Sequence, residues 1–90
     1  MPAEPSREAK NALLRAARAF AEMHDALDKA QAALDAADTF WLAQYGSQAY
    51  AHHVQGRAYV STARDHGVPD ALVRRAAAGD VQAVQDALRG

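Results

Sequence analysis

The chain has no cysteine. That excludes disulfide staples, thiolate metal sites and a cysteine nucleophile, and it suits a reducing compartment. Two of the three prolines, Pro2 and Pro5, fall in the first five residues, and neither proline nor glycine occurs again before Gly46. No apolar run approaches the roughly 20 residues that cross a bilayer. The opening MPAEPSREAK also lacks the apolar core of a signal peptide. A cytoplasmic protein with no membrane contact is expected. Charge of one sign is missing too, since ten Lys and Arg meet eleven Asp and Glu for a net charge of -1. That balance argues against a general polyanion binder and so against nucleic acid as the partner.

What is present is alanine. Half the residues are hydrophobic, yet the mean hydropathy is only -0.34. Alanine buries little area per residue, so one 90-residue domain built this way has a thin core. Extra stability from self-association or a partner is the natural expectation.

Residues 1–5 read as a flexible N-terminal tail and residues 6–90 as a single helical domain. Ser6 can cap a helix, with Glu8 in its first turn. The composition then favours helix through Tyr45, a span of about 60 Å. Leu13, Phe20, Leu27, Leu34 and Trp41 recur every seven residues, beside columns Ala9–Ala16–Met23–Ala30–Ala37 and Ala12–Ala19–Ala26–Ala33. Large and small columns side by side describe a seam for another helix. Gly46 is the first place the chain can reverse, with Ser47 capping a second helix that runs to His66. That helix repeats the small-residue pattern in Ala49, Gly56 and Ala63, and Tyr45, His52, Tyr59 and His66 are likewise seven apart, which puts them on one helix face. Gly67 and Pro69 end it. Short helices follow over Asp70–Ala78 and Val81–Leu88, broken at Gly79–Asp80.

The expected fold is an all-α bundle. A long N-terminal helix carries an antiparallel second helix along its C-terminal half, and two short C-terminal helices cover its N-terminal half. A turn at Gly46 would bring Arg57 near Asp35 and Arg64 near Asp28. Residues 7–18 carry a balance of +3 and residues 22–38 one of -4. Two antiparallel copies of the long helix would therefore match in charge, which predicts a homodimer with Ala16, Phe20, Met23, Leu27 and Ala30 at its seam.

No motif carries a reaction. The hydroxyls Ser6, Ser47, Ser61 and Thr62 sit in no strained elbow, and the acids fall on a polar helix face, so no catalytic residue and no cofactor is assigned. The weak metal candidates are His24 and His66, which the expected hairpin brings together beside Asp25 and Asp28. They would make this a histidine-dependent metal-binding protein. Their spacing lacks the i, i+4 pairing of HExxH. The alternative of a small DNA-associated regulator rests on the C-terminal pair VPDALVRRAAAGDVQAVQDALRG. A helix-turn-helix frame there puts Arg75, Asp80 and Gln85 at positions that should be small or apolar, and gives the second helix one cation, Arg89, at its far end. Ala76–Asp80 with Val81, Val84 and Leu88 resembles part of an ankyrin repeat over fewer than twenty residues. There is no TPLH stretch and no second copy, so the pattern is two short helices meeting. Trp41 and Gly46 also resemble the Trp-x-Gly turn of small secreted helical hairpins, but stand five apart rather than two.

The expected function is a non-catalytic protein–protein interaction module: an adaptor, an assembly subunit, or an inhibitor of the kind phages and mobile elements encode. Arg74 and Arg75, together on a short helix, are expected to face solvent and meet an acidic partner patch. Trp41 and Tyr45 belong to the aromatic stretch TFWLAQYGSQAYAHH. That stretch is expected to be a packed hairpin corner with Trp41 and Tyr50 inside and His52 and His53 at its rim. An exposed aromatic anchor is the competing reading.

Overall fold

The computed structural model describes residues 6–89, so the expected tail over residues 1–5 lies outside the described residues. Four helices follow one another: α1 (Arg7–Asp35), α2 (Thr39–Asp65), α3 (Asp70–Ala77) and α4 (Val81–Arg89). Ser6 caps α1, its hydroxyl accepting from the Ala9 amide at 3.1 Å. With 29 residues α1 is about 43 Å long, not 60. The chain turns at Ala36–Ala37–Asp38, nine residues before Gly46. Ala37 takes a left-handed φ of 55°, and the amides of Ala37 and Asp38 donate to the carbonyls of Leu34 and Ala33 at 3.0 and 2.8 Å. This paired closure normally uses glycine at the left-handed position. Gly67 and Gly79 fill that position at the ends of α2 and α3, with φ of 80° and 76°. Asp38 then caps α2, its carboxylate accepting from the Trp41 amide at 3.1 Å. Gly46 and Ser47 sit inside α2 instead of starting it.

The early turn resets the whole hairpin. Four contacts cross from α1 to α2 and its C-cap residue at intervals of seven residues: Glu8 with His66, Arg15 with Tyr59, Glu22 with His52, and Lys29 with Tyr45. The expected pairs Arg57–Asp35 and Arg64–Asp28 are not formed. Arg64 lies 3.8 Å from Asp70, and Asp35 accepts from the Gln31 side chain at 3.0 Å. Between the helices run the small-residue columns, with Ala12, Ala16, Ala19, Ala26, Ala30 and Ala33 of α1 and Ala49, Gly56 and Ala63 of α2 all buried. Side chains this small allow close approach of the two backbones. Phe20 lies directly over Gly56.

The short helices cover the N-terminal half of α1, as expected. Leu13, Val73 and Val84 are the largest fully buried side chains, and Ala9, Ala12, Ala16, Ala17, Ala63, Val68 and Ala76 complete this cluster. The α3–α4 turn is packed tightly, because a Cβ on Gly79 would stand 2.9 Å from the Ala21 backbone. Beyond that point the hairpin continues uncovered, giving a body 56 × 20 × 16 Å. The half bearing α3 and α4 is called basal here and residues 21–54 distal. No described helix is long and apolar enough to cross a membrane.

Candidate protein-interaction surface

Among the described residues the exposed large hydrophobics are Leu27, Leu34, Phe40, Trp41, Tyr50 and Val54, all in the distal half. The column Leu13–Phe20–Leu27–Leu34 explains two of them. Its members share one side of α1, but α3 and α4 pack on Leu13 and end at the groove beside Phe20. Leu13 is 0% exposed, Leu27 48% and Leu34 54%. The facing wall on α2 changes in step. His53 packs edge-on against Phe20 at 6.1 Å and Val60 lines the basal groove, whereas seven residues before His53 the column is only Gly46. Tyr50, 71% exposed, stands beside it.

A second apolar feature caps the tip. Phe40 meets Trp41 edge-to-face at 5.3 Å, and Trp41 stacks on Tyr45 at 5.4 Å. Lys29 Nζ lies 5.9 Å from the Tyr45 ring centre and 3.1 Å from Asp25 Oδ2. The hydrogen bond to Asp25, reinforced by its charge, raises the Lys29 pKa above its ordinary value, so the ammonium keeps its proton. Ala32, Ala33 and Ala36 floor a shallow hollow of about 310 Å³ between Trp41, Tyr45 and Lys29.

Charge is divided along the rod. The distal half carries Glu22, Asp25, Asp28, Asp35 and Asp38 against Lys29 alone, and residues 39–56 carry no Asp, Glu, Lys or Arg. The described basal residues carry nine cations against five acids. A basal groove of about 430 Å³, between Phe20, Val60 and Val73, has Arg57, Arg64 and Arg74 on its rim.

Several expectations are corrected. Trp41 is 47% exposed and Tyr50 71%, so the aromatic stretch is not a packed corner. The chain has already turned before it, and α2 carries these rings out on its own surface. His52 is half-buried with Nδ1 3.2 Å from Glu22 Oε2, and His53 is half-buried under Phe20. Of the expected dimer seam, Ala16, Phe20 and Ala30 are buried within the chain, Met23 is half-buried, and only Leu27 is exposed. The seam's partner helix is the chain's own α2. His24 lies against the α3–α4 turn at Gly79 while His66 is 3.5 Å from Glu8, so the two do not meet. Among the described residues no group of three His, Asp or Glu could hold a metal. Arg74 and Arg75 are exposed as expected, with Arg74 bonded to Asp70 at 2.8 Å. They stand on the basal half, away from Trp41 and Tyr45, so the four do not form one site. In the C-terminal pair, Gln82 donates to Asp86 at 2.9 Å and Arg89 approaches Asp86 at 4.0 Å, which turns α4's one cation onto its own helix.

Sequence reasoning missed the exposed face of Leu27, Leu34 and Tyr50. A signal for it existed. Helices of 8 and 9 residues cannot cover a helix of 29. No family model matches the chain, and neither a curated protein nor a solved structure shows significant similarity to it.

Proposed function

We propose that the chain is a non-catalytic protein–protein interaction module, an adaptor, assembly subunit or inhibitor, that engages a protein partner through the distal half of its hairpin. The supporting observation is the confinement of Leu27, Leu34, Phe40, Trp41, Tyr50 and Val54 to that half. Apolar side chains scattered singly over a surface need no explanation, but their crowding into one end of a rod does. Aromatic anchors of this kind dominate binding energy where they enter a partner pocket. A reducing, cytoplasmic setting fits a chain without cysteine. The test is cross-linking and capture from the source cell with the intact chain. A partner lost on Trp41→Ala or Leu27→Ala, with helicity retained, supports the reading. A partner lost only on changing Arg74 and Arg75 moves the site to the basal half.

A homo-oligomer is the second reading, favoured by the division of charge. Antiparallel copies would set each acidic tip beside the other's basic half. On the side that bears the leucines, α3 and α4 block that overlap, so such an assembly would use the opposite side of the hairpin. Light scattering at micromolar concentration decides it, since a mass near 9.6 kDa at all concentrations would remove the homo-oligomer.

A further inference from the structure

The same side of the hairpin can be followed from the covered half to the bare half, and the comparison specifies what would cover the rest. In the basal half, α3 and α4 pack on Leu13, with Leu14 on the same cluster, and α3 faces Phe20 across the basal groove. One and two heptads on, the column of Leu13 and Phe20 continues as Leu27 and Leu34. The column of Leu14 and Ala21 becomes Asp28 and Asp35. Across the groove, the column of His53 and Val60 becomes Gly46, where a Cβ would meet nothing within 4 Å. The distal groove therefore has a leucine wall with an acidic rim, an uncharged wall with Tyr50 beside it, and an open place where a helix backbone can come close.

We propose that this groove takes a basic amphipathic helix of a partner protein, its apolar stripe on Leu27 and Leu34 and its cations on Asp28 and Asp35. This rests on the interaction-module reading and names the occupant. The charge chooses it. Among the described residues neither Asp28 nor Asp35 has a cationic partner, and Lys29 is turned to Asp25 and Tyr45 on the other side of the hairpin. The two aspartates are seven residues apart, about 10.5 Å along the axis, the spacing of cations one heptad apart on a partner helix. A second copy of this chain fits poorly. With α3 and α4 confining contact to the distal halves, Asp28 and Asp35 of one copy would meet their own counterparts, and like charges so placed disfavour the pairing.

The test uses the intact chain and two designed helical peptides of about 18 residues, identical in their leucine stripe, one flanked by arginines and its twin by glutamates. Fluorescence anisotropy should give at least tenfold tighter binding of the basic peptide, weakening as salt rises. Asp28→Lys with Asp35→Lys should reverse the preference toward the acidic twin. Gly46→Leu should abolish binding while circular dichroism stays unchanged, because the position is exposed and open. Equal binding of both peptides, no binding of either, or an unchanged preference after the charge reversal would overturn the proposal. So would self-association of the chain that Gly46→Leu abolishes. If a captured host protein is lost on Trp41→Ala but unaffected by Gly46→Leu, the module reading stands and the groove is not its site.

Discussion

Phe20 covers Gly56: a Cβ on that glycine would stand 2.6 Å from the Phe20 ring. Among the described residues the other glycine inside a helix is Gly46, where a Cβ would meet nothing within 4 Å. The two therefore make opposite predictions for the same substitution. Gly46→Ala should stabilise the fold by up to about 1 kcal/mol, the helix-propensity difference. Gly56→Ala gains the same propensity but must displace a buried ring, at a cost of about 1–3 kcal/mol, and should destabilise on balance. Urea denaturation of both variants checks this. Stabilisation by Gly56→Ala would mean that the ring swings easily into the basal groove, and that the seam is looser than its geometry.

Ala37 occupies the left-handed position of the hairpin turn, with a φ of 55°. An alanine there is strained relative to glycine by about 1 kcal/mol. Ala37→Gly should therefore raise stability by about that amount, with no change in helix content. A loss of stability would mean that the turn does not hold this conformation in solution.

The same residue explains much of what the sequence concealed. The seven-residue columns were legible, as were the Ser6 cap, the Gly67 and Gly79 stops and the placement of the short helices. The turn was not, because its left-handed residue is alanine, while Gly46, the obvious breaker, is tolerated within α2. A turn at Ala37 rather than Gly46 shifts every cross-helix pairing. His66 meets Glu8 rather than His24, and the alanine columns are buried within the chain's own hairpin. The exposure of Leu27 and Trp41 was hidden for a different reason. A heptad position specifies which side of a helix a residue takes, not whether anything lies against it.

Leu13 and Leu27 separate those two properties, since they share a column and differ in cover. Leu13 is fully buried against the cluster of Val73 and Val84, so Leu13→Ala should cost about 2–5 kcal/mol. Leu27 is 48% exposed, and Leu27→Ala should cost less than about 1 kcal/mol. Thermal melts at several concentrations test the pair. A comparable loss for Leu27→Ala at high concentration alone would reveal an assembly in which Leu27 is covered.

Trp41 is the sharpest case. A tryptophan packed into a hairpin corner would cost about 3–5 kcal/mol on truncation, enough to unfold a domain of this size. Here its ring is 47% exposed and rests on Phe40 and Tyr45 of its own helix. Aromatic pairs of this kind are worth about 0.5–1.5 kcal/mol each, and the half-exposed ring retains much of its contact with water. The backbone role of Trp41, donating to Asp38 at 3.1 Å, survives replacement by alanine. Trp41→Ala should therefore leave the fold intact, shifting the unfolding midpoint by no more than a few degrees. As the chain's one tryptophan, it also reports on its own surroundings. In the free protein its emission should be that of a water-exposed indole, readily quenched by acrylamide. If the tip is an anchor, a partner that covers it will shift the emission to the blue and protect it from the quencher, and Trp41→Ala will bind that partner at least tenfold more weakly. Blue emission and protection in the free chain at every dilution would place the ring in a buried environment and remove it as an anchor. A blue shift that grows with protein concentration would instead identify the covering surface as another copy of the chain.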